Sequence, residues 1–302
     1  MLQYATGFTI NRGEGISMNS PKEVAQNYIA TGTAKTKYTI SKMLVMSMLA
    51  GMFIALAGVG AAIASSTVAS ASVAKLISAL VFPVGLSMTL VAGSELFTGN
   101  CLIIIPVLEK EVKLRAMFRN WCFVYIGNFI GSILVAALTV YSGTFSLFSN
   151  AAAVSVIKSA VTKVSMTFSD AFLRGILCNF LVCIAVWMSF AAKDVVGKIA
   201  GLFLPIMLFV LSGYEHSVAN MYYIPAGLFA SGNTAYMEAY TSAGGSSVGV
   251  LTWGTLFTKN LIPVTLGNII GGMVLVGMAY WFVYLREPEK KTATVHHKKK
   301  KK

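Results

Sequence analysis

Six long apolar segments, separated by short polar stretches, make up most of the chain from residue 44 to residue 284. Each is at least as long as the roughly 20 residues with which an α-helix crosses the hydrocarbon layer of a bilayer. The pattern predicts an all-α membrane protein with six transmembrane helices, at residues 44–64, 76–107, 120–141, 171–191, 199–230 and 260–284. Residues 142–166 and 231–258 are interpreted as polar connections.

The second and fifth segments are too long for one plain helix, and both contain the same polar pattern. Residues 93–100 and 213–220 read Gly-x-Glu-x-x-x-x-Asn. A carboxylate is costly inside an apolar segment, and irregular backbone at membrane depth is tolerated only where protein buries it or where it lines a cavity. We therefore predict that both segments are broken into two half-helices around a loop.

A second pattern follows each of these stretches at matching spacing. Arg119-Asn120 precedes Gly127-Asn128 as Lys259-Asn260 precedes Gly267-Asn268. Two ordered matches indicate an internal duplication. Paired interrupted segments in two halves of a membrane protein point to a transport site between them.

The duplication and the polar ends predict three regions. Residues 1–42 form a cytoplasmic N-terminal segment, in which Ser20-Pro21-Lys22-Glu23 is typical of a helix start and predicts a short helix on the membrane surface. Residues 43–285 form the six-span transport domain, with repeats at about 43–145 and 166–285. Residues 286–302 are a basic cytoplasmic tail.

Composition supports a membrane protein and argues against a nucleic-acid partner. Apolar residues make up 56% of the chain and charged residues 12%, about half the charged fraction of a soluble domain. The net charge of +13 is concentrated in loops and the C-terminal lysine run, not on a folded basic surface. Because basic residues collect on the side of both termini, we expect both termini in the cytoplasm and the protein in the plasma (inner) membrane.

The interrupted stretches hold the candidate chemistry. His216 is the one histidine outside the C-terminal tail, and its imidazole can exchange a proton near neutral pH. Glu95 and Glu215 have a structural interpretation that we favour, as acceptors for unpaired backbone N–H groups of the two loops. Asn100 and Asn220 would cap the second half-helices.

Other residues near the breaks fit a dry constriction and an anion-attracting mouth. Leu96, Phe97 and Thr98 follow Glu95, and Phe209 precedes the second break. Apolar groups beside a polar hydroxyl suit a narrow filter. Lys163, before the fourth span, is either a solvated loop lysine or an attractor of anions.

Five stretches resemble the signatures of the formate/nitrite transporter family, which also includes hydrosulfide channels. They are GSELFTGN (93–100), RNWCFVYIGNFIGS (119–132), GILCNFLVCIAVW (175–187), GYEHSVANM (213–221) and NLIPVTLGNIIGG (260–272). The resemblance implies an aquaporin-like protomer with inverted three-helix repeats and broken second and fifth helices. It also implies a homopentamer with one pore in each subunit.

The resemblance also implies roles for individual residues. Leu96, Phe97, Thr98 and Phe209 would form the constriction, His216 would be the filter histidine, and Lys163 would match the family's lysine ahead of the fourth span. Asn179 would lie near that lysine, and Asn268 would face the pore.

The expected function is a pentameric channel or facilitator in the lipid bilayer for formate, nitrite or hydrosulfide, with proton coupling through the histidine. The alternative is an aquaporin-like channel for small neutral solutes, which would lack a proton-active histidine. An enzyme is disfavoured because no nucleotide-binding or hydrolase pattern occurs, and nothing implies a cofactor.

Overall fold

The computed structural model describes residues 18–286, which fold into helices joined by short turns, with no β-strand in that range. Five helices in it are long and apolar enough to cross a membrane: Ile40–Ser65, Ala71–Val91, Leu114–Tyr141, Phe168–Ala191 and Trp253–Tyr284. Gly99–Leu108 and Val195–Leu211 are shorter apolar helices. Residues 1–17 of the predicted N-terminal segment and residues 287–302 of the predicted basic tail lie outside the described residues.

We number the α-helices in chain order. They are α1 Pro21–Thr36, α2 Ile40–Ser65, α3 Ala71–Val81, α4 Val84–Val91, α5 Ile104–Leu108, α6 Leu114–Tyr141, α7 Ala151–Val164, α8 Phe168–Ala191, α9 Val195–Leu211, α10 Ser217–Ser231, α11 Thr234–Ser242, α12 Trp253–Thr255, α13 Ile262–Ile269 and α14 Ala279–Tyr284. A 3₁₀ turn, Gly99–Ile103, leads into α5. The last long helix contains two π-helical stretches, Leu256–Leu261 and Ile270–Met278.

The chain leaves helical geometry at both of the stretches that the sequence singles out. The first break separates α4 from the 3₁₀ turn at Gly99, and the second separates α9 from α10. Gly93 and Gly213 each begin a break with a positive φ, 78° and 70°. Only glycine adopts this left-handed geometry without a steric penalty, so the repeated glycine marks where each helix must stop.

Three α-helices lie in the segments interpreted as connections, and the last of them, α12, begins the last long helix. α7 occupies most of residues 142–166, and α11 lies within 231–258. α7 buries a stripe of alanine and β-branched side chains against α10, including Ala153, Val156 and Ala160. Sequence interpretation missed α7 because serine and lysine residues lie between these apolar positions and lower the average hydrophobicity.

The helix start predicted at Ser20 is present. The Ser20 hydroxyl accepts from the Glu23 backbone N–H at 3.3 Å, and the Glu23 carboxylate accepts from the Ser20 N–H at 2.7 Å, which lowers the pKa of Glu23. α1 also packs on the protein itself. Tyr28 is buried and donates to the carbonyl of Gly99 at 3.2 Å, so α1 supports the first break.

Small residues let the helices behind the breaks approach closely. A Cβ at Gly131 on α6 would overlap the carbonyl oxygen of Met48 on α2, and a Cβ at Gly271 would overlap the carbonyl oxygen of Ile176 on α8. The two glycines hold matching places after the two duplicated asparagines. Close packing of α6 on α2, and of the last long helix on α8, is typical of membrane helices.

Candidate functional site

The two breaks meet at the centre of the protein through one side-chain contact. Thr98 Oγ1 lies 2.8 Å from Nε2 of His216, although the residues are 118 positions apart. Thr98 is fully buried and His216 is 3% exposed. Both residues were predicted from the sequence, and the fold brings them together.

The local backbone fixes which nitrogen of His216 carries hydrogen. His216 is the N-cap of α10, and its Nδ1 accepts from the backbone N–H of Ala219 at 3.1 Å. A backbone N–H can only donate, so Nδ1 is the unprotonated nitrogen and the neutral ring carries its hydrogen on Nε2. Nε2–H therefore donates to Thr98 Oγ1, and the threonine hydroxyl hydrogen is left to donate elsewhere.

The backbone of Thr98 is held from the other side. Asn179 Nδ2 donates to the Thr98 carbonyl at 3.2 Å, and the Cys183 thiol donates to the same oxygen at 3.4 Å. Asn179 Nδ2 also donates to the carbonyl of Asn268 at 2.7 Å. Asn179 thus positions Thr98 and links α8 to α13, and it lines neither of the two cavities described below.

Each glutamate at a break is buried and bound by side chains, which differs from the predicted binding of loop N–H groups. Glu95 Oε2 accepts from Asn100 at 2.7 Å, and Glu215 Oε2 accepts from Asn220 at 2.7 Å. Asn100 and Asn220 were expected to cap half-helices. Their side chains bind the carboxylates instead, because the turns closed by the Asn100 N–H to Leu96 carbonyl bond and by the Asn220 N–H to His216 carbonyl bond bring each amide next to its carboxylate.

The backbone of each break is held by an asparagine from a neighbouring helix. Asn128 Oδ1 accepts from the Phe97 N–H at 3.0 Å, and its Nδ2 donates to the Glu95 carbonyl at 2.9 Å. Asn268 makes the matching contacts with the N–H of Ser217 at 2.9 Å and the carbonyl of Glu215 at 3.0 Å.

Asn268 was expected to face the pore. It is instead fully buried with both ends of its amide bound, because the backbone of the second break needs a donor and an acceptor at this position.

Lys163 is not a free loop lysine. It lies in the last turn of α7, and its Nζ is 2.8 Å and 3.0 Å from the two carboxylate oxygens of Glu215. Lys35, in the last turn of α1, pairs with Glu95 at 2.9 Å in the same way. Sequence interpretation missed the role of Lys35. The feature that could have indicated this role is its position in the last turn of a capped helix ahead of the first span.

The halves differ in one detail of these pairs. Lys35 Nζ also donates to Asn100 Oδ1 at 2.9 Å. Lys163 binds both oxygens of Glu215, and Asn220 Oδ1 has no hydrogen-bond partner among the described residues. The acceptor lies beside the cavity on that side of the protein.

Two cavities approach the Thr98–His216 pair from opposite ends of the break region. One, of about 400 Å³, is lined by Lys35, Glu95 and Leu96. The other, of about 1020 Å³, is lined by Lys163, Glu215 and His216 among others. We call them the Glu95 cavity and the His216 cavity.

Apolar side chains line both cavities close to the pair. Leu96 lines the Glu95 cavity together with Leu86 and Leu90 of α4. Phe209 lines the His216 cavity, with its ring centroid 5.9 Å from that of His216 and 5.7 Å from that of Phe82. Phe82 was missed by sequence interpretation because it precedes the break by eleven positions, at the bend between α3 and α4.

Phe97 does not take part in this constriction. Its ring packs edge-on against Trp121 and Tyr125 of α6, at centroid distances of 5.8 Å and 4.9 Å. The backbone contact with Asn128 turns Phe97 toward α6, whereas Leu96 lines a cavity.

Nothing in this region resembles a metal centre. Within residues 18–286, no group of three or more histidine, cysteine, aspartate or glutamate residues could hold a metal ion.

The fold and the site define a multi-pass helical membrane protein whose two broken helices place a polar pair between two cavities. The family profile described as formate/nitrite transporter matches residues 22–282. The chain belongs to the formate/nitrite transporter family. It is therefore an anion-transporting membrane protein and not an enzyme.

Relatives span nearly all of the chain. It is 39% identical over 292 residues to a probable formate transporter of Methanothermobacter thermautotrophicus, covering 90% of this chain and 100% of the relative. It is 38% identical over 256 residues to the formate channel FocA of Escherichia coli K12, covering 83% and 89%. A solved pentameric formate channel with formate bound superposes with a TM-score of 0.73 at 32% identity, covering 82% and 98%.

Proposed function

We propose that this protein is a homopentameric channel for small monovalent anions of weak acids, with formate as the principal substrate. The observation that carries the proposal is the buried Thr98–His216 pair between two cavities that each contain a lysine. Two relatives that are 39% and 38% identical to this chain are named a probable formate transporter and a formate channel. Nitrite and hydrosulfide are similar in size and charge and belong to the same proposed substrate class.

The proposed protomer is an aquaporin-like inverted repeat with six spans, two of them broken. Its support is the matched set of contacts around the two breaks, in which a lysine, a glutamate and two asparagines recur with the same pairings. We propose that the pseudo-twofold axis lies between the breaks and that both termini face the cytoplasm, in the plasma membrane.

The apolar constriction sets the energetic problem that the pair has to solve. An anion that leaves the water of either cavity loses its hydration between Leu96 and Phe209, at a cost of several kcal/mol or more. The Thr98 hydroxyl offsets part of that cost by donating to the anion. Because Thr98 Oγ1 accepts from His216 Nε2–H, its own O–H becomes a stronger donor through hydrogen-bond cooperativity.

Proton coupling requires a change at the other ring nitrogen. Full protonation of His216 adds a hydrogen to Nδ1, which then loses its bond from the Ala219 N–H. The imidazolium therefore forms at the expense of the first-turn cap of α10, and an anion between the aromatic rings would supply the compensating charge. When the imidazolium transfers a proton to the anion, the ring becomes neutral again and the substrate leaves as a neutral acid. The neutral acid crosses the apolar constriction at much lower cost.

A neutral-solute channel is the competing proposal, since it would share the architecture. Uptake of labelled formate and labelled glycerol into proteoliposomes that contain the full chain separates the two. We expect saturable formate uptake and glycerol uptake no faster than in protein-free liposomes. Faster glycerol uptake than formate uptake would refute the anion channel.

A further inference from the structure

The His216 cavity is lined by three cationic side chains in addition to Lys163. They are Lys75 of α3, Lys158 of α7 and Arg174 of α8, and all three are solvent-exposed. Three separate helices thus bring positive charge to one opening. We call these three residues the vestibule cation cluster.

The cluster has no carboxylate partner. The lysines that pair with carboxylates beside the two cavities are Lys35, with Glu95, and Lys163, with Glu215. Glu215 is the one carboxylate among the residues that line the His216 cavity, and Lys163 already binds both of its oxygens. Even Asp170, one turn before Arg174 on α8, forms no ion pair in the described part of the chain.

The Glu95 cavity provides the comparison. It is smaller, about 400 Å³ against about 1020 Å³, and its lining contains two lysines and one glutamate. The His216 cavity holds four positive charges against one negative charge. A small anion with one charge, such as formate, requires neither a cavity of that volume nor three unpaired cations to attract it.

We propose that the vestibule cation cluster is a binding site for a doubly charged oxyanion, which enters the His216 cavity, does not pass the constriction and obstructs monovalent flux. The guanidinium of Arg174 offers the planar fork that binds two oxygens of an oxyanion at once. Lys75 and Lys158 act as point charges. At a given site a dianion gains about twice the Coulomb energy of a monoanion.

The same charge keeps the dianion out of the constriction. The cost of removing an ion from water rises with the square of its charge, so a second charge makes the apolar passage beside Phe82 and Phe209 much more costly than it is for formate. Attraction at the mouth and exclusion from the passage together make the dianion a blocker. The binding site stands on the cavity alone, whereas the block also rests on the proposed function.

Sulfate is a suitable probe because it carries two charges throughout the neutral pH range. Binding is measured on the purified full chain as the rise of the thermal unfolding midpoint with sulfate, against chloride at equal ionic strength. We expect sulfate to stabilise the wild type more than chloride does. In Arg174→Gln and in the double variant Lys75→Gln/Lys158→Gln, the sulfate concentration that gives half of the stabilisation should rise about tenfold.

Flux gives the second readout. Formate uptake is measured in proteoliposomes with sulfate on both sides, and each variant is normalised to its own uptake without sulfate. The half-inhibiting sulfate concentration should rise about tenfold in the same two variants. Lys198→Gln removes a cation from the other cavity and should leave both readouts at wild-type values.

Two outcomes would overturn the proposal. One is that sulfate stabilises the protein and inhibits formate uptake no more strongly than chloride does at equal ionic strength. The effect would then be general screening of charge by salt. The other is that the cluster variants respond to sulfate as the wild type does. A wild type that binds sulfate through the cluster and yet carries no formate would support the binding site and refute the proposed transport function.

Discussion

At the scale of single residues, the site is a set of hydrogen bonds with assigned directions. The Ala219 N–H fixes His216 Nδ1 as an acceptor, and Nε2–H then donates to Thr98, whose hydroxyl is free to face an anion. Asn179 and Cys183 donate to the backbone carbonyl of Thr98, so the backbone at this position is held in place. Each hydrogen bond in this series therefore determines which atom of the next side chain donates and which accepts.

The first prediction tests the Thr98 hydroxyl. Thr98→Val replaces the hydroxyl with a methyl group of nearly the same volume, and we expect formate flux to fall at least tenfold, because a lost hydrogen bond to an anion costs about 1.5–3 kcal/mol. Thr98→Ser is the matched control and should keep most of the flux. Stopped-flow uptake in proteoliposomes measures both. Equal flux in the valine and serine variants would show that the hydroxyl does not bind the anion.

The second prediction concerns the buried ion pair of Lys163 and Glu215, whose side chains are 14% and 5% exposed. Lys163→Met leaves Glu215 charged and unpaired, which should cost about 3–5 kcal/mol of stability. Adding Glu215→Gln should restore much of that loss, since the uncompensated charge disappears. Lys158→Met, on the exposed side of the same helix, is the control.

Thermal unfolding of the purified variants in detergent measures this effect. A double variant that is no more stable than Lys163→Met alone would mean that the pair contributes through packing and not through charge.

The residues of the site were predictable to the extent that they lie in the repeated patterns. His216, Thr98, Glu95 and Glu215 belong to the two break stretches, and an ionisable residue inside an apolar segment is a strong signal. Phe82 was not predictable in this way because an aromatic residue in an apolar helix is the ordinary case. The direction in which Phe97 points depends on the contact with Asn128, which adjacency in sequence does not show.

At the scale of the elements, the apolar segments predicted where the five long apolar helices lie, and charge and spacing located the breaks. α7 was not recognised because its stripe of alanines is only weakly apolar, yet it carries Lys163 to Glu215. α1 was recognised from its capping box, but its packing against Gly99 depends on tertiary contacts. Helices outside the membrane-crossing pattern thus supply the lysines that pair with the buried carboxylates.

The third prediction concerns helix approach at Gly271. Gly271→Ala should push the last long helix away from α8, because the added methyl overlaps the Ile176 carbonyl, at a cost of about 1–3 kcal/mol. Gly254→Ala is the matched control, since its nearest neighbour would lie 3.7 Å away, an ordinary contact. Thermal unfolding and the oligomer fraction in size-exclusion chromatography measure both. An alanine at 271 that is as stable as one at 254 would contradict the close packing.

At the scale of the whole molecule, two halves with matched contacts enclose one central pair. If the halves are inverted in the membrane, the two lysine–glutamate pairs lie at opposite ends of one path, and both termini lie on one side. Such an arrangement lets an anion leave either cavity toward the same polar pair. Because the His216 cavity carries more positive charge than the Glu95 cavity, an anion is attracted more strongly when it enters from the side of the His216 cavity.

The last prediction is that His216 couples formate flux to protons. As pH falls, more His216 rings gain the Nδ1 proton, so a formate ion in the constriction can take a proton and leave as a neutral acid. Chloride, the anion of a strong acid, cannot leave by this route. We therefore expect formate flux through the wild type to rise as pH falls and chloride flux to remain low at every pH.

The variant His216→Asn tests this coupling, because its side-chain amide can still donate to Thr98 but carries no titratable proton. It should assemble normally and lose the pH-dependent part of formate flux. Flux of formate and of chloride in proteoliposomes, measured across pH for both proteins, decides the question. If the variant shows the wild-type rise at low pH, then formic acid already formed in solution carries the flux. His216 would in that case act only as the cap of α10 and the partner of Thr98.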